Sequence, residues 1–466
     1  MNSRIRPFIW FPVILVIQAC STFIPTVQAE KTSTPGYQVA SLQSSATQSA
    51  THTPIPSPTL TPTKLPPTDI PTQTVIPSPS PTPLSIDTQL SIFDDLWSIV
   101  NNTYVYPDFN GLDWNAVRSE YNEKISAGMS SEQFYQAMSE LIYSLGDEHS
   151  SFLNPQEVIA QEAEYQGNLD YVGIGILVSA VPEREHAVIL SVFSDSPAES
   201  AGLQPRDSII SVDHVPILDR AGFLRDIVRG PEGTTISIVV QTPGEASREL
   251  KVTRHRITGE IPVVHNVITT PEGKRIGYIL LITFDDSTVD DQVADALQEM
   301  TVDAPLDGLI LDNRMNGGGS STVLKPMLSF FQAGDLGYFV NRNEERPLQI
   351  ELNDINGSSN VPLVVLVGSG TASFGEIFAG ILQDLDRAYL IGTTTEGNVE
   401  ILWGYDLEDG SQLWVANETF RPQINSDQNW ERTGIIPNLE ITGEFDEYTL
   451  ENDPAVLAAI QYLVNQ

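Results

Sequence analysis

The stretch VGSGTASFGEIFAGILQD, residues 367–384, sets a serine in a turn rich in glycine, alanine and threonine. An apolar run precedes it, and a helical pattern follows in which Phe374, Ile377, Phe378, Ile381, Leu382 and Leu385 share one face. A hydroxyl at such a strand-to-helix turn stands beside helix-start N–H groups and the positive end of the helix dipole, the setting an acyl-transfer nucleophile needs. The spacing also admits a purely structural role, because Ser373 and Glu376 fit the S-x-x-E capping box that satisfies the first helical N–H groups. A second turn of this kind lies in LILDNRMNGGGSS, residues 309–321. There Gly317, Gly318 and Gly319 would let backbone N–H groups approach an oxyanion, or would simply form a flexible connection. A phosphate loop is disfavoured, since the lysine and hydroxyl residue of that motif are missing.

Such turns need a rigid frame. Residues 257–466 alternate strand-like and helical runs: RIGYILLITF, a helix over 287–300, LDGLILDNR, a helix over 320–331, VPLVVLVG, a helix over 374–385, and RAYLIG. The alternation predicts an α/β core with a mostly parallel sheet and a site at the C-terminal ends of its strands. Upstream, residues 86–160 read as a helical subdomain, with Leu90, Phe93, Leu96, Trp97 and Val100 at helical spacing. The helical patterning stops at Gly146 and leaves His149 in the loop beyond. Residues 165–256 switch to short β-type runs around a helical RAGFLRDIV, residues 220–228. The fold class expected is therefore a multi-domain α/β protein.

Two resemblances follow from these motifs. YVGIGI, comprising Tyr171, Val172, Gly173, Ile174, Gly175 and Ile176, together with SPAESAGLQPRDSIISVDHVPI, resembles a PDZ domain and its carboxylate-binding loop. The resemblance implies that an extended peptide adds to the sheet edge while loop amides hold its terminal carboxylate. Behind that segment, GYILLITF, LDNRMNGGG, GSGTASFGEIFAGILQDLDRAYLIG and RTGIIPN resemble, in order, the carboxyl-terminal processing (tail-specific) serine peptidases. This resemblance implies Ser373 as nucleophile, with N–H groups of Phe374 and of Gly317 or Gly318 as the oxyanion hole. The Ser–Lys members carry their base in a TFGKG-type motif, but here the segment reads GTTTEGNVE and the matching residue is Asn398. An amide cannot take the serine proton, and no lysine follows Lys325. The tricorn-core branch is more similar: it implies His149 of LGDEHSSF as the base and Glu431 of NWERTGIIPN as the carboxylate that fixes its tautomer. Use of Lys325 as the base is disfavoured by its place inside a helical run. A protein that kept the peptidase fold only to bind peptides is the competing reading.

The remaining features say where such a protein would work. Residues 1–20 carry Arg4 and Arg6, an apolar run from Phe8 to Ile17, and Ala19 before the chain's single cysteine, Cys20. The pattern is a signal peptide of residues 1–20 ending in a lipobox-like VIQAC, which predicts lipidation at Cys20 and an extracytoplasmic location. Residues 21–85 are rich in Ser, Thr and Pro, too poor in apolar residues to fold, and read as a stalk. A formal charge of −37, from 24 Lys and Arg against 61 Asp and Glu, repels nucleic acid and anionic lipid, so membrane contact is expected through the anchor alone. His52, His186, His214, His255 and His265 form no H-E-x-x-H or comparable motif, and neither metal nor cofactor is expected. The expected partner is a polypeptide with an unstructured C-terminal tail; nothing in the sequence specifies an oligomeric state.

Overall fold

The computed structural model describes residues 38–40, 83–147, 149–165 and 169–466. The leader with Cys20, and most of the Ser/Thr/Pro-rich stretch with His52, lie outside the described residues.

Three helices, Ile86–Thr103, Trp114–Ser126 and Ser131–Tyr143, form the N-terminal layer. Each starts where its sequence supplies a cap: Ser85, Asp113 and a Ser130/Gln133 capping box. Their apolar faces bury Phe93, Leu96, Trp97, Val100, Phe134 and Leu141 together with Leu413 and Val415 of a distant strand. This shared core ties the helices to the C-terminal part of the chain. Gly146, at φ 73°, ends the helical region, and a short strand, Ser151–Leu153, then pairs with the start of strand Gln412–Pro422.

An antiparallel β domain follows. Its strands lie in the order Ile176–Val181, His186–Val192, Ser208–Val212, Thr235–Gln241, Arg248–Thr253, so that Ile176–Val181 is an edge strand. The helix expected over residues 220–228 does not form. Asp219 instead accepts hydrogen bonds from the N–H groups of Ala221 and Phe223, and Gly222 takes φ 90°, so local side-chain-to-backbone bonding outcompetes the helix.

The core is a seven-stranded sheet. Strands Arg275–Leu280, Gly308–Asp312, Leu363–Val367, Tyr389–Gly392 and Leu439–Glu440 run parallel in chain order, and His265–Thr269 pairs antiparallel with the first. Both faces are covered, which is why these strands read as unbroken apolar runs. Helices Val289–Thr301, Ser321–Ser329 and Phe374–Asp384 pack on one face; helix Pro454–Val464 and the β-domain residues Val188 and Leu190 pack on the other. At the outer edge Gln38–Ala40 adds a short antiparallel strand, although the stretch 21–85 was expected to contribute no structure. An open sheet edge offers backbone N–H and C=O groups that a polar segment can pair with as readily as an apolar one.

A second, antiparallel sheet of Glu345–Ile350, Gly334–Val340, Gln412–Pro422 and Ile401–Asp406 interrupts the α/β alternation expected for 257–466. Its hairpins turn at residues 341–344 and 407–411, where Asn341 and Asp409 accept hydrogen bonds from nearby backbone N–H groups. This sheet receives the N-terminal helices and thereby carries His149 to the core.

Candidate active site

Ser373 and the glycine run both sit just beyond C-terminal strand ends, Ser373 after Leu363–Val367 and Gly317–Gly319 after Gly308–Asp312. The serine has φ 50° and ψ −126°, and its side chain makes no cap hydrogen bond. A β-carbon at positive φ is strained, and the surroundings hold it there: the Ser373 N–H donates to the Asn398 carbonyl at 2.7 Å, and the Ala372 N–H to the Asn316 carbonyl at 3.0 Å. The capping box is therefore not formed. Glu376, fully buried, turns to the loop beyond the next strand and accepts from Thr395 Oγ1 at 2.5 Å and from the N–H groups of Gly397 at 2.8 Å and Asn398 at 2.7 Å. Burial pushes its carboxyl up to about 7 against those three donors.

The glycine run is locked against the serine by asparagines. Asn313 Nδ2 donates to the Gly375 carbonyl at 2.9 Å, Asn316 Nδ2 to Asn313 Oδ1 at 2.9 Å, and the Gly318 N–H to Asn316 Oδ1 at 3.0 Å. Gly318, at φ 97°, comes so close that a β-carbon there would lie 2.6 Å from the Ser373 β-carbon and 3.0 Å from the Phe374 nitrogen. Its own N–H is occupied by Asn316, however, whereas those of Gly317 and Phe374 have no acceptor among the described residues. Of the three amides expected at an oxyanion, two are free to donate.

His149 is set by a turn that the sequence analysis did not single out. Asp147 Oδ1 accepts the N–H groups of His149 at 3.0 Å and Ser150 at 2.8 Å, and Ser150 Oγ in turn accepts from Ala416 N–H at 3.0 Å. The imidazole Nε2 lies 3.1 Å from Glu400 Oε2. Glu400, whose side chain is 2 % exposed, accepts the Tyr106 hydroxyl at 2.6 Å on its other oxygen. Glu431 stands behind this pair: its Oε2 accepts the Val399 N–H at 2.7 Å, and donor atoms of His149, Glu400 and Glu431 all lie within 4.8 Å of one another. Burial, and next the Glu431 charge, hold Glu400 well above the usual carboxylate range; burial raises Glu431 as well, so the two carboxyls hold a proton between them. The signals for the missed residues were faint. Asp147 begins a D-x-x-S turn, and Glu400 stands two residues after Asn398.

Three consecutive residues thus reach three separate candidates: Asn398 through its carbonyl to Ser373, Val399 through its N–H to Glu431, and Glu400 through its carboxylate to His149. Lys325 is exposed on helix Ser321–Ser329.

In the β domain, Tyr171 and Val172 belong to strand Leu169–Gly173, and Gly173–Gly175 form the connection into the edge strand Ile176–Val181. Ile174 is buried, and its carbonyl accepts the Ala198 N–H at 2.9 Å. The Tyr171 ring lies over Gly173, where a β-carbon would meet it at 2.6 Å.

A serine beside helix-start amides on a parallel sheet, an imidazole backed by carboxyls, and an inserted β domain define the serine hydrolase class. Comparison with known proteins narrows it. The profile of Peptidase family S41 matches residues 275–441, that of a PDZ domain residues 174–253, and that of the Tricorn protease C1 domain residues 88–143. The chain is 31% identical over 378 residues to the carboxyl-terminal-processing protease of Synechocystis sp., covering 79% of this chain and 85% of that relative. It is 26% identical over 332 residues to the carboxy-terminal processing protease CtpB of Bacillus subtilis, covering 70% and 66%. The solved photosystem II D1 C-terminal processing protease is similar at a TM-score of 0.55 and 27% identity, over 80% of this chain and 97% of that one. The chain belongs to peptidase family S41 and is a serine-type peptide hydrolase with a PDZ domain. No helix among the described residues is long and apolar enough to cross a membrane.

Proposed function

We propose that the chain is an extracytoplasmic serine endopeptidase, anchored by a lipid on Cys20, that docks an unstructured polypeptide tail on its PDZ domain and cuts it with a Ser373–His149–Glu machinery. Ser373 Oγ attacks the scissile carbonyl. Nε2 of His149 faces Glu400 Oε2 at 3.1 Å, and Nδ1 would take the serine proton and pass it to the leaving amine. Glu400 is the carboxyl in contact with the imidazole, and Glu431 shares its proton and charge; together they favour the transient imidazolium. The N–H groups of Phe374 and Gly317 would receive the oxyanion. Water then hydrolyses the acyl-enzyme by the reverse proton route.

The observation that carries this reading is the run Asn398–Val399–Glu400, which in a Ser–Lys enzyme would present the lysine and here ties Ser373, Glu431 and His149 to one another. Tail docking is supported by the edge position of Ile176–Val181, which leaves one side of that strand open to an added peptide strand. The deciding experiment is hydrolysis of an unstructured peptide, with fluorophosphonate labelling, by the wild type, Ser373→Ala and His149→Ala. Loss of turnover in both variants and of labelling in Ser373→Ala is expected. Equal rates in wild type and Ser373→Ala would remove the assignment, and tail binding without turnover by the wild type would leave a receptor.

A further inference from the structure

His149, Glu400 and Glu431 present one imidazole nitrogen and two carboxylate oxygens within 4.8 Å of one another, with the His149–Glu400 pair at 3.1 Å. A tetrahedral zinc ion bound at about 2.0–2.2 Å spaces its ligand atoms roughly 3.4 Å apart, so the three donors need shifts of only about 1 Å to close on one ion. A second observation singles out the same point. Glu400 Oε2 is buried and, although it faces His149, receives no aligned hydrogen bond among the described residues. A buried carboxyl oxygen without an aligned donor has a lone pair to offer a cation once the proton shared with Glu431 leaves. Imidazole with two carboxylates suits zinc better than magnesium or calcium, which prefer an all-oxygen shell.

We propose that this cluster is an inhibitory zinc site, in which Zn²⁺ binds His149 Nε2, Glu400 and Glu431, displacing to solvent the proton the two carboxyls share, with water completing the coordination. The inhibition follows from the tautomer. A neutral imidazole carries one proton; when zinc takes the Nε2 lone pair, that proton resides on Nδ1, and the ring can no longer accept the Ser373 proton there. The ion also occupies the two carboxyls that would stabilise an imidazolium. The binding site rests on the geometry alone, whereas its inhibitory effect rests on the proposed role of His149.

The two parts are separable by experiment. On Ser373→Ala protein, which needs no activity, Zn²⁺ titration calorimetry and the visible absorption of bound Co²⁺ measure the site directly. One ion per chain with micromolar affinity is expected, and Glu400→Gln and His149→Ala should each weaken it at least about tenfold. No saturable binding, or binding that both variants leave unchanged, overturns the site. On the wild type, micromolar Zn²⁺ should abolish peptide hydrolysis and a chelator should restore it. Binding in the first experiment without inhibition in the second keeps the site and refutes the role of His149 as base.

Discussion

Replacing Glu400 by glutamine separates the two carboxyls behind His149. With an effective dielectric constant of about 20, one negative charge stabilises an imidazolium by about 5 kcal/mol at the 3.1 Å separation of Glu400 and by about 3.5 kcal/mol at 4.8 Å, the outer bound for Glu431. Because the pair carries one charge between them, Glu400→Gln leaves that charge on Glu431; the loss is the difference, about 1.5 kcal/mol, and at roughly 1.4 kcal/mol per factor of ten kcat should fall about tenfold from charge alone. The amide adds a second fault, because its NH₂ can donate to Nε2 and hold the ring in the wrong tautomer. KM should scarcely change, since the imidazolium exists only on the way to the transition state. Glu431→Gln behaves differently. It removes the second cause of Glu400's raised pKa, leaves burial as the first, and keeps the remaining carboxyl at the nearer position, so the loss should stay below that of Glu400→Gln, within about tenfold. The assay is steady-state hydrolysis of an unstructured peptide, with a thermal melt of each variant as a folding control. A loss in Glu431→Gln exceeding that in Glu400→Gln, both folded, would refute Glu400 as the group that orients His149.

Three other perturbations test the surrounding structure. Gly318→Ala places a β-carbon 2.6 Å from that of Ser373 at φ 97°, and should cost about 2 kcal/mol or more of stability, read by urea denaturation, together with a large loss of turnover. The Glu376 carboxyl, held near 7 in the folded protein against about 4.3 unfolded, makes the fold bind an extra proton between those values. Its stabilising share is thus complete below about pH 4 and lost as pH rises through 7, a fall of about 3 kcal/mol that Glu376→Gln should flatten in denaturation measured at pH 5 and pH 8. Tyr171→Ala uncovers Gly173 and the loop beside it, so a peptide with a free C-terminal carboxylate should bind about fivefold tighter by fluorescence anisotropy, while an amidated peptide should not.

The parallel core was legible because its signal is local and doubled: a strand such as Leu363–Val367, buried on both faces, can only read as an unbroken apolar run. Ser373 was legible as a residue at a turn, but its two possible roles were not separable, because the capping box depends on where Glu376 points and Glu376 points to residues 395–398. The helix expected over 220–228 failed for a local reason visible only in hindsight, the Asx-type bonding of Asp219. Glu400 was out of reach for the opposite reason. It lies 251 residues from His149 along the chain, and the two meet only because the helical layer packs on strand Gln412–Pro422, a tertiary relation that no local period encodes.

The arrangement around Glu400 costs stability, and that cost argues for its chemical use. Two carboxyls drawn out of water beside each other oppose folding. The chain offsets the penalty only in part, with one phenol hydroxyl, one backbone N–H and a shared proton, and among the described residues Glu400 Oε2 has no aligned donor. A purely structural site would be better served by an amide or an apolar side chain in one of the two positions, whereas an imidazole that must become charged for an instant needs negative charge held ready and poorly satisfied until then. The same reasoning explains the backbone at Ser373. A serine that only capped its helix would relax to the extended conformation seen at Ser85 and Ser130, where the side chain does bind the helix start; at Ser373 the turn is strained and the hydroxyl is withheld from that task. Strain at the serine and unmet charge at the carboxyls meet across three residues, 398–400, which is where a change of base from an amine to an imidazole would have to be accommodated.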